Sequence, residues 1–262
     1  MITFSLITIT YNAARVLPPT LESVKAQTYE RVEHIIVDGA SDDDTMAQVS
    51  AYRKESDEAE NGHEIMAISE PDKGIYDAMN KGLAMATGDY ICFLNAGDRL
   101  PETDTLNLLA QMAEESGDGE RPAVIYGDTD IVDNDGRRIG RRHLAAPEKL
   151  NWRSFRKGML VCHQAFYARR DIAQGIPYDL RFRLSADVDW CIKVMKEAAR
   201  RHLSLKNAHH VIAHYLQEGQ TTLHHQASLN ERFQVMRRHY GLATTVIMHI
   251  WFVLRKPFIG KP

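Results

Sequence analysis

Tyr90-Ile91-Cys92-Phe93-Leu94-Asn95-Ala96-Gly97-Asp98-Arg99-Leu100 is a short apolar run that stops abruptly at Asn-Ala-Gly-Asp. Tyr, Ile, Phe and Leu suit a strand covered on both faces, so the run predicts a buried strand with Asp98 just past its C-terminal end. Ligands of open α/β sheets bind at such strand ends. Gly97 allows a sharp turn and a close approach of backbone to a ligand. A carboxylate on a rigid strand end can hold Mg²⁺ or Mn²⁺ against a diphosphate. Taken alone the segment reads as a surface turn; its neighbours reverse that reading.

Strand and helix patterns alternate through the first half. Residues 2–10 are a β-branched run, and Pro18-Pro19 opens a helix pattern over 20–27. Strands follow at 32–37 and 64–69, with helices at 45–54 and 75–86 and a polar stretch at 57–62. The βαβαβαβ order predicts a parallel sheet with right-handed crossovers. After Asp98 the pattern changes. A helix is expected at 106–115, a strand at 123–126, and a hairpin around Asp133-Asn134-Asp135-Gly136. Another apolar strand is expected at 161–167, and an amphipathic helix at 186–200.

The chain has 262 residues, which suits one large α/β domain with at most a short appendage. A net charge of −3 gives no global pointer to nucleic acid. Three widely spaced cysteines, Cys92, Cys162 and Cys191, make neither a zinc pattern nor a disulfide framework, and fit a reducing compartment. The start Met1-Ile2-Thr3-Phe4 reads as an immediate strand rather than a signal peptide.

Three clusters carry chemistry. Thr10-Tyr11-Asn12 ends the first strand, and Val37-Asp38-Gly39-Ala40-Ser41-Asp42-Asp43 ends the second. An Asp there can accept hydrogen bonds from a base N–H or a ribose hydroxyl, while Thr10 and Tyr11 can frame a base. Asp42 to Asp44 also suit a helix N-cap. The third cluster runs from Glu70 to Gly82. There Asp72, Lys73 and Gly74 open a helix on which Asp77, Asn80 and Lys81 share one face, a start suited to an anionic diphosphate. No G-x-G-x-x-G or G-x-x-x-x-G-K-[ST] is present, which argues against a dinucleotide fold and a Walker-type hydrolase.

The order Thr10-Tyr11-Asn12, Val37-Asp38-Gly39-Ala40-Ser41-Asp42, Asp72-Lys73-Gly74, Asn80-Lys81-Gly82, Gly88-Asp89-Tyr90 and Leu94-Asn95-Ala96-Gly97-Asp98 resembles family 2 glycosyltransferases. The resemblance is dense over the first hundred residues. It continues more loosely through Cys162-His163-Gln164-Ala165-Phe166 and Ser185-Ala186-Asp187-Val188-Asp189-Trp190, to about Thr222. It implies a GT-A fold: a Rossmann-like, doubly wound, mostly parallel α/β sheet, a mixed α+β acceptor half and C-terminal helices. The implied division is a transferase domain over 1–222, split at residue 100 into donor and acceptor halves, and a helical appendage over 223–262. By this resemblance Asp38 binds the nucleotide base, usually uracil, and Thr10 and Tyr11 line its pocket. Asn95, Ala96 and Asp98 occupy the metal-binding D-x-D position, with Mn²⁺ or Mg²⁺ as cofactor, and Asp187 occupies that of the catalytic base. Two departures stand out. Asn95 and Gly97 replace carboxylates, leaving Asp98 as the single direct carboxylate ligand, and Ala186 stands where an acid often precedes the base, leaving Asp187 and Asp189 as rivals.

Seven of the twelve histidines lie between His202 and His239, but without the Cys or acids of a zinc tract. One of them could complete the Mg²⁺/Mn²⁺ site. Gly219-Gln220-Thr221-Thr222 resembles the family's Gly-Gly-x-Ser loop. Residues 242–254 are uncharged and flanked by Arg237, Arg238, Arg255 and Lys256. They are too few to span a bilayer, and suit either an anionic lipid interface or packing on protein, including a second subunit. The expectation is a cytoplasmic, inverting glycosyltransferase, with the inner face of the plasma membrane as a candidate location. It would move a sugar from a UDP-sugar to a glycan or lipid-linked acceptor in surface polysaccharide synthesis. The rival readings are a nucleotidyltransferase and a non-catalytic scaffold of a polysaccharide-synthesis complex.

Overall fold

The computed structural model describes residues 1–115, 119–217 and 225–255, with backbone alone at 225, 226 and 255. The Gly219-Gln220-Thr221-Thr222 motif, His224 and the expected domain boundary at residue 222 lie outside the described residues.

Four parallel strands form the frame: β1 (Phe4–Thr10), β2 (Val32–Asp38), β3 (His63–Ser69) and β4 (Tyr90–Phe93), in the order β3-β2-β1-β4. Three helices make the crossovers: α1 (Pro18–Lys25), α2 (Thr45–Ala59) and α3 (Ile75–Met85). The chain winds from β1 out to β3 and then returns to the other side of β1. The switch point therefore falls between β1 and β4, where a crevice opens at the carboxyl ends of the strands. Every residue of β1, β2 and β4 is buried, which explains their near-continuous apolar runs.

Beyond β4 lie α4 (Thr105–Glu114), β5 (Val124–Val132), β6 (Arg138–Arg141), β7 (Phe166–Arg169) and α5 (Arg170–Ala173). After them come α6 (Ala186–Arg200), β8 (Leu205–Leu216), α7 (His225–Tyr240) and α8 (Leu242–Arg255). The sheet becomes mixed here. β7 runs antiparallel to both β4 and β5, and β8 runs parallel to β5. The hairpin at Asp133 to Gly136 joins β5 to β6 as expected.

Three expectations shift. Helix α2 runs through the stretch expected to be loop and ends only at Ala59. The strand expected from residue 161 begins at Phe166, because His163–Ala165 makes a 3-10 turn first. Strand β8 had no sequence counterpart: His209 takes a left-handed φ of 55° and breaks the alternation that would have marked a strand. Helix α7 is tied to the rest of the fold. Glu231 accepts the backbone N–H groups of Arg183 and Leu184, and Tyr240 donates to the Trp152 carbonyl.

A buried polar relay ties β2, β1 and β4 together. Tyr52 donates to His34 Nδ1 (2.9 Å), His34 Nε2–H donates to Thr8 Oγ1 (2.9 Å), and Thr8 donates to the Leu94 carbonyl (2.7 Å). Burial pushes the His34 imidazole down to about 3. The unfolded chain binds a proton there below its ordinary value of 6.5 and the folded chain does not, so stability falls as pH drops from 6.5 towards 3. Wild type should lose about 2 kcal/mol more between pH 6.5 and 5 than His34→Leu does in urea melts, although the variant starts less stable. Equal acid slopes for the two proteins would place the imidazole in solvent instead.

Candidate active site

The loop after β4 is held from three sides. Gly97 N–H donates to Thr20 Oγ1 (2.8 Å) at the start of α1. Asp98 accepts from Gln164 Nε2 (2.8 Å) and from the Leu216 backbone N–H (3.0 Å) at the end of β8. Its side chain is buried, and burial pushes its carboxyl up to about 6 against those two hydrogen bonds. The expected metal ligand thus has a protein donor on each oxygen. Gly97 has φ +98°, and a Cβ on it would lie 2.6 Å from Leu216 Cδ2, so a carboxylate at this place in the D-x-D segment would be strained and would have to displace Leu216.

Asn95 starts a second line of contacts. Its Nδ2 donates to His163 Nε2 (3.1 Å), and His163 Nδ1 faces an Asp187 carboxylate oxygen at 3.3 Å. With Nε2 accepting, the proton sits on Nδ1 and points at Asp187. Tyr76 from α3 donates to the other Asp187 oxygen at 3.2 Å. Burial would raise the Asp187 carboxyl, but the His163 hydrogen bond and the Arg232 charge hold it below the usual carboxylate range. Its side chain keeps 16% exposure. Asp189 keeps none, and is clamped by Lys193 (2.5 Å) and by His239 (2.7 Å) from α7. Of the two rivals, Asp189 joins α6 to α7 and Asp187 faces outward.

The ends of β1, β2 and β3 meet at Asp38, which is fully buried. It accepts from Thr10 Oγ1 (2.8 Å), Ser41 N (2.8 Å), Ser41 Oγ (2.5 Å) and Ser69 Oγ (2.7 Å). Burial would raise its carboxyl; those donors outweigh burial and lower it. The carboxylate expected to read a base is thereby committed to the loops. Asn12 Oδ1 accepts from Asp42 N–H (3.0 Å), which clips the first two strand ends together. Tyr11 stands 68% exposed above them.

The cluster before α3 is also largely self-paired. Lys81 Nζ binds Glu70 (2.8 Å) and the Pro71 carbonyl (2.9 Å). Asp77 accepts from the Lys73 N–H, and Asn80 exchanges two hydrogen bonds with the Tyr178 backbone. The shared face of Asp77, Asn80 and Lys81 therefore shapes the loop that carries Asp72, Lys73 and Gly74. Away from this end, a surface cleft of 590 Å³ lies beside Asp89, Arg121, Arg169 and Asp171. Its charges pair with one another, and it sits at the opening residues of β4, far from the switch point.

Residues 5–176 match the model of glycosyl transferase family 2. The chain belongs to this family. It is 35% identical over 217 residues to the PGL/p-HBAD biosynthesis glycosyltransferase of Mycobacterium tuberculosis, covering 82% of this chain and 77% of that one. It is 28% identical over 204 residues to the amylovoran biosynthesis glycosyltransferase AmsB of Erwinia amylovora, covering 74% and 64% of the two chains. Among solved structures, S. aureus TarS in complex with UDP-GlcNAc superposes with a TM-score of 0.68 at 18% identity, over 94% of this chain and 66% of that one. The mannosyltransferase PcManGT from Pyrobaculum calidifontis, in complex with GDP-Man and Mn²⁺, superposes with a TM-score of 0.57 at 15% identity, over 100% and 76%. The fold is GT-A.

In this family 2 transferase the residue that sequence reasoning left without a role is His163. It was visible only as part of Cys162-His163-Gln164, and its link from Asn95 to Asp187 spans residues far apart in sequence. Among the described residues no three His, Cys, Asp or Glu side chains converge as a cation cage. Asn95 Oδ1 is buried and without a hydrogen-bond partner at this corner. Restoring a carboxylate by Gly97→Asp should therefore cost about 2–4 kcal/mol in chemical denaturation without creating a metal site. A variant that kept wild-type stability and bound Mn²⁺ more tightly in calorimetry would refute this packing argument.

Proposed function

We propose that this transferase moves a sugar from a UDP-sugar to an acceptor hydroxyl with inversion at the anomeric carbon, and that Asp187 is the base. The observation that carries the reading is the Asn95–His163–Asp187 line. It sets an ionised, partly accessible carboxylate beside the strand end where a donor diphosphate would lie. In a single displacement the acceptor oxygen attacks the anomeric carbon as the bond to the diphosphate breaks, and Asp187 takes the hydroxyl proton. His163 Nδ1–H and Tyr76 hold the carboxylate in place. A divalent cation, Mn²⁺ or Mg²⁺, would offset the charge on the leaving diphosphate, with Asn95 Oδ1 as its contact from this chain. Tyr11, Asp72, Lys73, Gly74, Asn95 and Ala96 border the donor, while Thr10, Asn12, Asp38, Asp77, Asn80, Lys81 and Asp98 hold that border in shape. UDP as donor is supported by the TarS complexes with UDP and UDP-GlcNAc.

Asp187→Asn should lower transfer at least about a thousandfold while changing UDP affinity less than about twofold. Asp189→Asn should instead lower the melting temperature and leave kcat within about threefold. The opposite pattern would move the base to Asp189. Release of pyrophosphate from UTP, rather than UDP from a UDP-sugar, would make the chain a nucleotidyltransferase.

The relatives named for PGL/p-HBAD and amylovoran biosynthesis support a glycan acceptor, and a lipid-linked one suits the C-terminal helices. No helix among the described residues is long and apolar enough to cross a membrane. Helix α8 nevertheless exposes Leu242, Ile247, Ile250, Val253 and Leu254, and packs against the 3-10 turn Ser154–Lys157 with its exposed Arg156 and Lys157. An apolar face beside basic side chains suits an anionic lipid surface. The transferase domain, 1–222, would then work at the cytoplasmic face of the membrane, tethered by its appendage, 223–262. The protein should co-sediment with phosphatidylglycerol vesicles, and Ile247→Glu with Ile250→Glu should abolish this. Concentration-dependent dimerisation lost in the same variant, with no vesicle binding, would assign the face to a second copy.

A further inference from the structure

Asp38 cannot read a base without giving up its loop contacts, because all four of its contacts are protein donors and its side chain is fully buried. Another carboxylate stands beside it. Position 39, next in the chain, is a glycine, and a Cβ built there would lie 2.7 Å from Asp72 Oδ2 and 3.3 Å from the Tyr11 ring. The carboxylate of Asp72, carried by the loop before α3, thus occupies the space in which a side chain at position 39 would stand. Its Oδ1 accepts the Gly74 N–H at 2.7 Å. Lys81 steadies the loop from behind through the Pro71 carbonyl. Oδ2 shares the space over Gly39 with the Tyr11 ring, an exposed aromatic surface at this end of the sheet.

We propose that Asp72, and not Asp38, is the residue that selects the donor base. Its Oδ2 accepts the imino N3–H of uracil, with the base lying on Tyr11. This rests on the UDP-sugar reading above. The single free oxygen decides among bases. Guanine offers two adjacent donors, N1–H and the 2-amino group, which match a carboxylate with both oxygens free. Asp72 has one oxygen committed to Gly74. Cytosine presents an acceptor at N3, which a carboxylate oxygen repels. Uracil, with one N–H at that position, is complementary, and thymine shares the pattern.

The same geometry fixes what an amide does. In Asp72→Asn, Oδ1 keeps the Gly74 N–H and the Nδ2 donors turn towards the base. They oppose uracil N3–H and suit cytosine N3. Purified full-length protein titrated with UDP, CDP and GDP by calorimetry, at fixed Mn²⁺, reads this directly. Wild type should prefer UDP over CDP and GDP by about tenfold or more. Asp72→Asn should lose UDP affinity by about tenfold and gain CDP affinity, so that the preference inverts. Asp72→Ala, which removes both options, should bind UDP and CDP alike. Melting temperatures close to wild type would show that the loop still folds, as expected for a half-buried position on a surface loop. If wild type prefers UDP and Asp72→Asn keeps that preference, the assignment to Asp72 is wrong while the UDP reading stands. If wild type binds no nucleotide, both fail.

Discussion

A carboxylate buried as deeply as Asp98 must find donors or give up its charge. Asp98 finds them on two segments that the sequence keeps far apart, Gln164 before β7 and the Leu216 backbone at the end of β8. The remaining arrangement of the site hangs on that junction. Leu216 lies over Gly97, and two residues earlier Asn95 reaches His163. His163 in turn orients Asp187. A group that looks like a metal ligand in the sequence instead ties the end of β4 to the segments that carry His163 and Leu216. The burial that raises its carboxyl to about 6 is the cost of joining the two halves of the molecule at one point.

The same division of labour recurs at Asp38. Both aspartates lie at strand ends where ligands of α/β sheets bind, and both turn inward. Beside Asp38, Tyr11 stands exposed and Asp72 half-buried, while beside Asp98 the half-buried Asn95 turns to His163. Loops that border a ligand need rigid anchors, because a mobile border costs ordering entropy on binding. Buried, fully hydrogen-bonded carboxylates supply such anchors.

The sheet's first half was legible because its signal is local. β-branched runs, Pro18-Pro19 and the small-residue spacing of α3 each fix an element without reference to distant chain. The family was legible for a related reason: its motifs sit at strand ends in a fixed order. What sequence could not show was which acids are sealed. Asp38 and Asp72, Asp98 and Asn95, Asp187 and Asp189 are paired choices. The burial of Asp38 and Asp98 depends on partners far along the chain, such as Thr10 for Asp38 and Leu216 for Asp98. β8 escaped notice because its strongest hydrogen-bonding partner, β5, hides the irregularity at His209 only in three dimensions.

The contrast between Asp187 and Asp189 shows why burial outranks sequence position in assigning a base. The two carboxylates lie one turn-fragment apart on α6 and both sit in its first turn, where the helix dipole favours the charged form. Asp189 is surrounded by Lys193, His239 and Arg238, so protonating it would break an ion cluster that fastens α7. Asp187 is touched by His163 Nδ1 and the Tyr76 hydroxyl, and no lysine or arginine is paired with it directly among the described residues. A base must keep a lone pair open and change charge during the reaction. A salt-bridge cluster resists that change, and this is the physical argument behind proposing Asp187 over Asp189.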